Sequence, residues 1–197
     1  IILSMNRIVI TCLGKIISYL SFVDEKIRSG LRSWMWRVRI EAKQGRVGTG
    51  FWVKKGSFFD LGRQSQVTIG KNVIIDENVR IYVGEQGRLV IGDDVFIGCG
   101  SFLVANRQVV IGQGTQIAHS VTIIDTDHEF RNPDVALTQQ GDRRAAIEIG
   151  KEVWIATQSV VLKGRRIGDH SVIGANTVVT QNVRPVSVLA GKKQKSI

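Results

Sequence analysis

Ile149–Val179 reads I-G-K-E-V-W, I-A-T-Q-S-V, V-L-K-G-R-R, I-G-D-H-S-V, I-G-A-N-T-V, V. An aliphatic residue returns every six positions, at Ile149, Ile155, Val161, Ile167, Ile173 and Val179. A helix repeats at about 3.6 residues and a simple strand at about 2, so neither produces this period. A six-residue repeat is a sequence signature of a parallel β-helix.

The same spacing runs back to residue 47. Val47, Val53 and Phe59 are six apart, as are Ile69, Ile75 and Ile81; Ile91, Ile97 and Leu103; and Ile111, Ile117 and Ile123. With the opening stretch this makes six groups of three. Three hexads close one triangular coil, so the expected fold is all-β: a parallel β-helix of about six coils. Gly often follows the aliphatic residue (Gly48, Gly70, Gly92, Gly150, Gly174), and the fifth position is small or β-branched (Val73, Val95, Thr115, Ser159, Thr177). Flat strands ending at cramped corners need that pattern. Arg165 occupies a fifth position and breaks it. A lone buried Arg is costly, so it must turn outward or be paired.

The groups are not evenly spaced. The step is 10 from Phe59 to Ile69, 10 from Ile81 to Ile91, 8 from Leu103 to Ile111 and 26 from Ile123 to Ile149. Each insertion follows the third hexad of a coil, so all four should leave from one edge of the prism. The longest, 124–148, is expected to protrude as a loop. Tyr82, Glu85, Arg88, Asn106 and Arg107 are expected in short bulges beside it. Long loops on rigid scaffolds are usually functional. The organisation is then residues 1–46 as an N-terminal basic amphipathic helical segment, 47–184 as the β-helix with loop 124–148, and 185–197 as a C-terminal tail.

Charge divides the chain in the same place. The whole carries a net charge of +10. Residues 1–56 hold 11 Lys/Arg and 3 Asp/Glu, a net of +8. The ladder is nearly balanced, which removes the main support for nucleic-acid binding. Residues 8–23 form an apolar run, too short for a spanning helix of about 20 residues. No clear small-residue cleavage site follows it, so a signal peptide is poorly supported. The chain opens on Ile1, with Met5 a candidate initiator. In 24–43, Ile27, Leu31, Trp34 or Met35, and Val38 recur at helical spacing. That stripe either packs on the ladder or a neighbouring subunit, or rests in a membrane interface. Cys12 and Cys99 have no metal or disulfide spacing and read as free thiols. They suit a reducing, cytoplasmic compartment, with residues 1–45 at the inner face of the membrane in the interfacial reading.

The long loop opens I-I-D-T-D-H-E-F. His128 is flanked by Asp125 and Asp127, followed by Arg131 and by Gln139-Gln140-Gly141. Imidazole titrates near neutrality and can accept a proton from a hydroxyl. A nearby carboxylate fixes its tautomer and stabilises the imidazolium. Spacing alone also permits a solvated loop. A metal reading would use Asp125, Asp127 and His128, with His119, but nothing enforces ligand geometry. His119 sits at the third position of its hexad and His170 at the fourth, and both should face outward. No G-x-S-x-G, Walker or dinucleotide motif occurs. A histidine base with no obvious nucleophile suits direct transfer onto a second substrate.

The hexads, with V-T-I-I-D-T-D-H at 121–128, Q-Q-G at 139–141, I-E-I-G-K-E-V-W-I-A at 147–156, S-V-I-G-A-N-T-V-V-T at 171–180 and V-L-A-G at 188–191, resemble the hexapeptide-repeat acyltransferases. The nearest branch looks like the sugar O-acetyltransferases, maltose and galactoside enzymes included, and above all the lipopolysaccharide and capsule O-acetyltransferases. The resemblance covers residues 47–191. It implies a left-handed β-helix, against the usual right-handed crossover. It implies a homotrimer with sites between subunits, acetyl-CoA as donor and no required metal. It also implies a sugar or glycan acceptor in a bacterial surface polysaccharide or its precursor.

By motif, His128 would be the general base, with Asp127 or Asp125 as its partner. The donor positions would be Thr157, Ala175, Thr180 and Gln181, with Trp154 on the same coil. Lys163, Arg165 and Lys192 would be cations for the phosphates. Tyr82, Arg88, Asn106, Arg107, His119 and Arg131 are candidates for the acceptor side. Two departures stand out. Gly98 lies where the maltose and galactoside enzymes carry Asn, leaving Asn106 or Asp127 to substitute. Lys193 stands where the family tail has Pro. N-acetylation of an amino sugar is the alternative chemistry, and a non-catalytic β-helix scaffold the alternative class. Zinc-dependent hydration would need three converging histidines, and the chain has only His119, His128 and His170.

Overall fold

The protein is seen in a computed structural model that describes residues 2–191 and 193–196, with side chains at Lys15, 18–21 and 23–191. Lys192 and the side chain of Cys12 lie outside the described residues. From Arg46 onward, short parallel strands stack into three sheets, faces A, B and C, which the chain visits in turn. The hexad aliphatics form vertical columns. On face A, Ile69, Ile91, Ile111, Ile149 and Ile167 are in register from coil to coil. Of the six groups of three, only Val47 in the first coil escapes full burial. Burial of each such side chain contributes roughly 2 kcal/mol. The columns are therefore both the fold's template and its main stabilisation.

The corners explain the other hexad positions. The fourth residue adopts a left-handed backbone, with φ of 54° at Asn72, 58° at Asp94, 57° at Ser120 and 55° at Asn176. Asn and Asp tolerate this region best after Gly. The fifth residue points inward under the corner, and Ser101, Thr115, Ser159 and Ser171 are fully buried there. Their hydroxyls bond carbonyls of the next coil, as Thr115 Oγ1 does to Gly150 O at 2.9 Å and Ser171 Oγ to Arg184 O at 2.8 Å. A buried hydroxyl is tolerated only when so paired. Arg165 turns outward and donates to Thr180 O at 2.9 Å and Lys163 O at 3.2 Å.

All four insertions leave between faces C and A. The short ones lengthen the flanking strands more than they form bulges. Tyr82 lies within strand Arg80–Val83 on face C, its ring 5.6 Å from Phe58 and 5.4 Å from Phe102. Arg88 opens strand Arg88–Ile91 on face A. Only the turn residues, such as Glu85, Asn106 and Arg107, sit on the edge itself. The ladder also passes residue 184: Val183 bridges Ile167, and Val188 and Leu189 pair with Val172 and Ile173. Strand Lys193–Ser196 then folds back antiparallel on Ser187–Ala190.

The N-terminal segment is one helix, α1, Ile2–Glu41. It packs on the first coil through Ser29, Ser33, Trp36 and Ile40. Val53 N donates to Ser33 Oγ at 2.8 Å, Arg37 reaches Val47 O at 2.6 Å, and Trp36 meets Phe59 at 5.2 Å. The expected stripe lies on the opposite side: Ile27, Leu31, Trp34 and Val38 are exposed. Trp34 and Trp36 differ by two residues, about 200° around a helix. Among the described residues, no helix is long and apolar enough to cross a membrane.

Candidate active site

The long insertion folds as a β-hairpin: Thr126–His128 pairs antiparallel with Asp142–Arg144. Its tip is closed by Gln140, which accepts from Asn132 N at 3.1 Å and donates to Asn132 O and Val135 O. Gly141, at φ +79°, turns the chain into the return strand, and Glu129 N donates to its carbonyl at 2.9 Å. The Q-Q-G run is thus the device that closes the loop.

In this hairpin His128 and Asp142 are directly opposed. Asp142 Oδ1 lies 3.0 Å from His128 Nδ1, within ion-pairing distance, and Arg144 approaches the other carboxylate oxygen at 3.7 Å. With Nδ1 turned toward the carboxylate, Nε2 is the ring nitrogen that faces away from it. The imidazole is 76% exposed, open to a second substrate. Sequence proximity had pointed to Asp125 and Asp127, and both have other partners in the structure. Asp125 is fully buried, and its carboxylate accepts three backbone amides, from Asn106 at 2.8 Å, Arg107 at 2.7 Å and Gln108 at 2.8 Å. It pins the preceding insertion to the base of the hairpin. Asp127 pairs with Lys163 at 3.0 Å. Lys163 therefore anchors the hairpin to the next coil and is not a free cation.

Beside this pair lies a small cavity of about 140 Å³, lined by Thr126, Asp127, Leu162, Lys163, Arg165 and Thr180. Thr126 Oγ1 is buried there without a hydrogen-bond partner. Thr180 continues into a second groove of about 440 Å³ with Gln181, Asn176 and Val178. Arg107 reaches Arg144 O at 3.4 Å and so touches the hairpin. Arg131 is exposed near the tip, close to Glu129.

His119, Trp154, Thr157 and Ala175 are elsewhere. They belong to the corner between faces B and C, where Thr157 Oγ1 donates to His119 O at 3.0 Å and Asn176 N to Thr157 O at 3.0 Å. A groove of about 560 Å³ runs along this corner past Phe96, Gly98, Cys99, His119 and Trp154. The two edges of one chain are separated by the width of face C, about six residues or roughly 20 Å. A Cβ on Gly98 would lie 2.6 Å from Ala118 C and from His119 N, so no asparagine fits at that position. Asn106 sits instead on the hairpin's edge, its backbone N–H donating to Asp125. The three histidines fall on three different edges, which rules out a three-histidine zinc site within one chain. Among the described residues no cluster of His, Cys, Asp and Glu forms a metal site.

Residues 146–181 match the family Bacterial transferase hexapeptide (six repeats). The chain is 33% identical to the galactoside O-acetyltransferase of Escherichia coli (strain K12) over 66% of its own length and 63% of that protein's. It therefore spans under two thirds of that relative. It is 28% identical to WbbJ of the same organism, named for lipopolysaccharide biosynthesis O-acetyl transfer, over 70% of this chain and 74% of WbbJ. The fold is also similar to AntD, an N-acyltransferase from Bacillus cereus, with a TM-score of 0.66 at 18% identity, covering 77% of this chain and 81% of that one. In its stacked hexads, its single insertion edge and these matches, the chain is similar to the bacterial hexapeptide-repeat transferases.

Proposed function

We propose that the protein is an acetyl-CoA-dependent O-acetyltransferase acting on a sugar hydroxyl of a bacterial surface polysaccharide, such as lipopolysaccharide O-antigen, capsule or exopolysaccharide, or of its precursor. The observation that carries this is the His128–Asp142 pair, presented on an exposed hairpin. A sugar hydroxyl is a poor nucleophile until its proton is removed. His128 Nε2 takes that proton as the hydroxyl oxygen attacks the acetyl carbonyl. Asp142 keeps the imidazole in the right tautomer and stabilises the imidazolium. The imidazolium then returns the proton to the departing thiolate. The thioester supplies an activated acetyl group, so no covalent enzyme intermediate is needed.

The donor side follows the coils after the hairpin. Thr180 and Gln181 line the groove that continues from the hairpin cavity. Thr157 and Ala175, with Trp154, belong to the far corner. One chain holds these halves on different edges, which supports a homotrimer in which the His128 hairpin of one copy meets the B–C corner of the next. The outward side of face B is apolar enough for such packing: Trp52, Ile74, Phe96 and Trp154 occupy successive levels of it, with Gln116 between the last two.

The test is release of free CoA from acetyl-CoA with a panel of sugars, amino sugars and lipid-linked glycans. Acceptor-dependent release with hydroxyl acceptors supports the proposal. Release with amino sugars alone supports N-acetylation instead. No release with any acceptor contradicts transferase activity.

A further inference from the structure

The helix α1 has two apolar faces, and the solenoid uses only one. Ser29, Ser33, Trp36 and Ile40 are buried on the first coil. On the opposite side Leu20 is 60% exposed, Ile27 59%, Leu31 61% and Trp34 65%, with Val38 beside them. These five share one stripe, because their spacings of seven, four, three and four residues return to the same side of a 3.6-residue helix. Nothing in the ladder can reach this stripe, since α1 itself lies between the two.

Charge says what the stripe faces. The carboxylates of α1 are matched within the helix: Asp24 by Arg28, Glu25 by Arg32 and Glu41 by Arg37. Arg32 holds the Glu25 carboxyl below the ordinary carboxylate range. The positive excess of Arg7, Lys15, Lys26 and Arg39 has no acidic counterpart in α1. An apolar stripe bearing Trp on a strongly cationic helix is the composition of a segment that lies in a lipid headgroup region. A coiled-coil contact between copies would instead place a flanking acid opposite each base.

We infer that the exposed stripe of α1, Leu20–Ile27–Leu31–Trp34–Val38, docks the protein on an anionic lipid bilayer, lying in the interface with the solenoid standing off the surface. The apolar side chains enter the headgroup boundary, and the lysines and arginines meet lipid phosphates.

Co-sedimentation of the full chain with phosphatidylcholine vesicles, with and without phosphatidylglycerol, tests this. Binding is expected on the anionic vesicles, weakened by salt, with a blue shift of Trp34 fluorescence that Trp34→Phe removes while binding persists. The variant Ile27→Gln/Leu31→Gln/Trp34→Gln should lose about tenfold or more in vesicle affinity, with its helical circular dichroism and elution volume unchanged. Equal partition of the wild type onto neutral and anionic vesicles overturns the inference, and so does triple-variant binding equal to wild type. A triple variant that elutes as a smaller species also overturns it, because the stripe is then a contact between copies.

Discussion

Asp142 and His128 face each other across a hairpin, Oδ1 3.0 Å from Nδ1, although they are fourteen residues apart in sequence. In the proposed function this pairing makes Asp142 a positioning residue. Asp142→Asn removes the charge and leaves the shape. It should lower kcat by about tenfold or more with KM for the acceptor nearly unchanged. An equal loss in both parameters, or none, would assign Asp142 a structural role only. Steady-state CoA release separates these outcomes.

Asp125 predicts the opposite signature. Its buried carboxylate satisfies three amides, and Asp125→Ala leaves them unpaired at about 1–3 kcal/mol each. The expected loss is roughly 3 kcal/mol or more, seen as a fall of about 10 °C in Tm. Thermal unfolding followed by circular dichroism checks it, and a stability equal to wild type would remove Asp125 from its anchoring role.

Gly98→Asn should not restore an asparagine site. The new Cβ meets backbone of the next coil at 2.6 Å, so the variant should lose about 1–3 kcal/mol. Unfolding in urea measures this. A variant as stable as wild type and more active would show that the corner can open.

Fold and site were unequally legible in the sequence. The period of six placed every coil and the insertion edge, because each column position must be aliphatic to fill the prism. The same count put His119 and Thr157 at the middle hexad of their coils, and so on a different corner from His128, a consequence the spacing already contained. Asp142 was hidden because its contact depends on the hairpin register, which is fixed by Gln140 and Gly141 at the far end of the loop. Asp125 looked like a partner by proximity, but it sits at the bend between Thr122–Ile124 and Thr126–His128, where its carboxylate takes up the amides of 106–108. The docking face of α1 was hidden by Ser29 and Ser33, whose burial rests on hydrogen bonds that hydropathy does not register.

The separation of the His128 edge from the corner of Thr157 and Trp154 predicts complementation. His128→Ala and a corner variant such as Thr157→Trp should each be nearly inactive alone. Co-expressed with different tags and purified as a mixed oligomer, they should regain a measurable fraction of activity. An inactive mixed oligomer would mean that both halves of the site come from one chain.

The most direct measurement is the acceptor-dependent rate of CoA release by wild type and by His128→Ala under identical conditions. Loss of a general base that deprotonates the acceptor should reduce kcat by about 10² to 10⁴-fold, with the fold and oligomer unchanged. A His128→Ala protein that releases CoA at the wild-type rate would contradict the account at its centre.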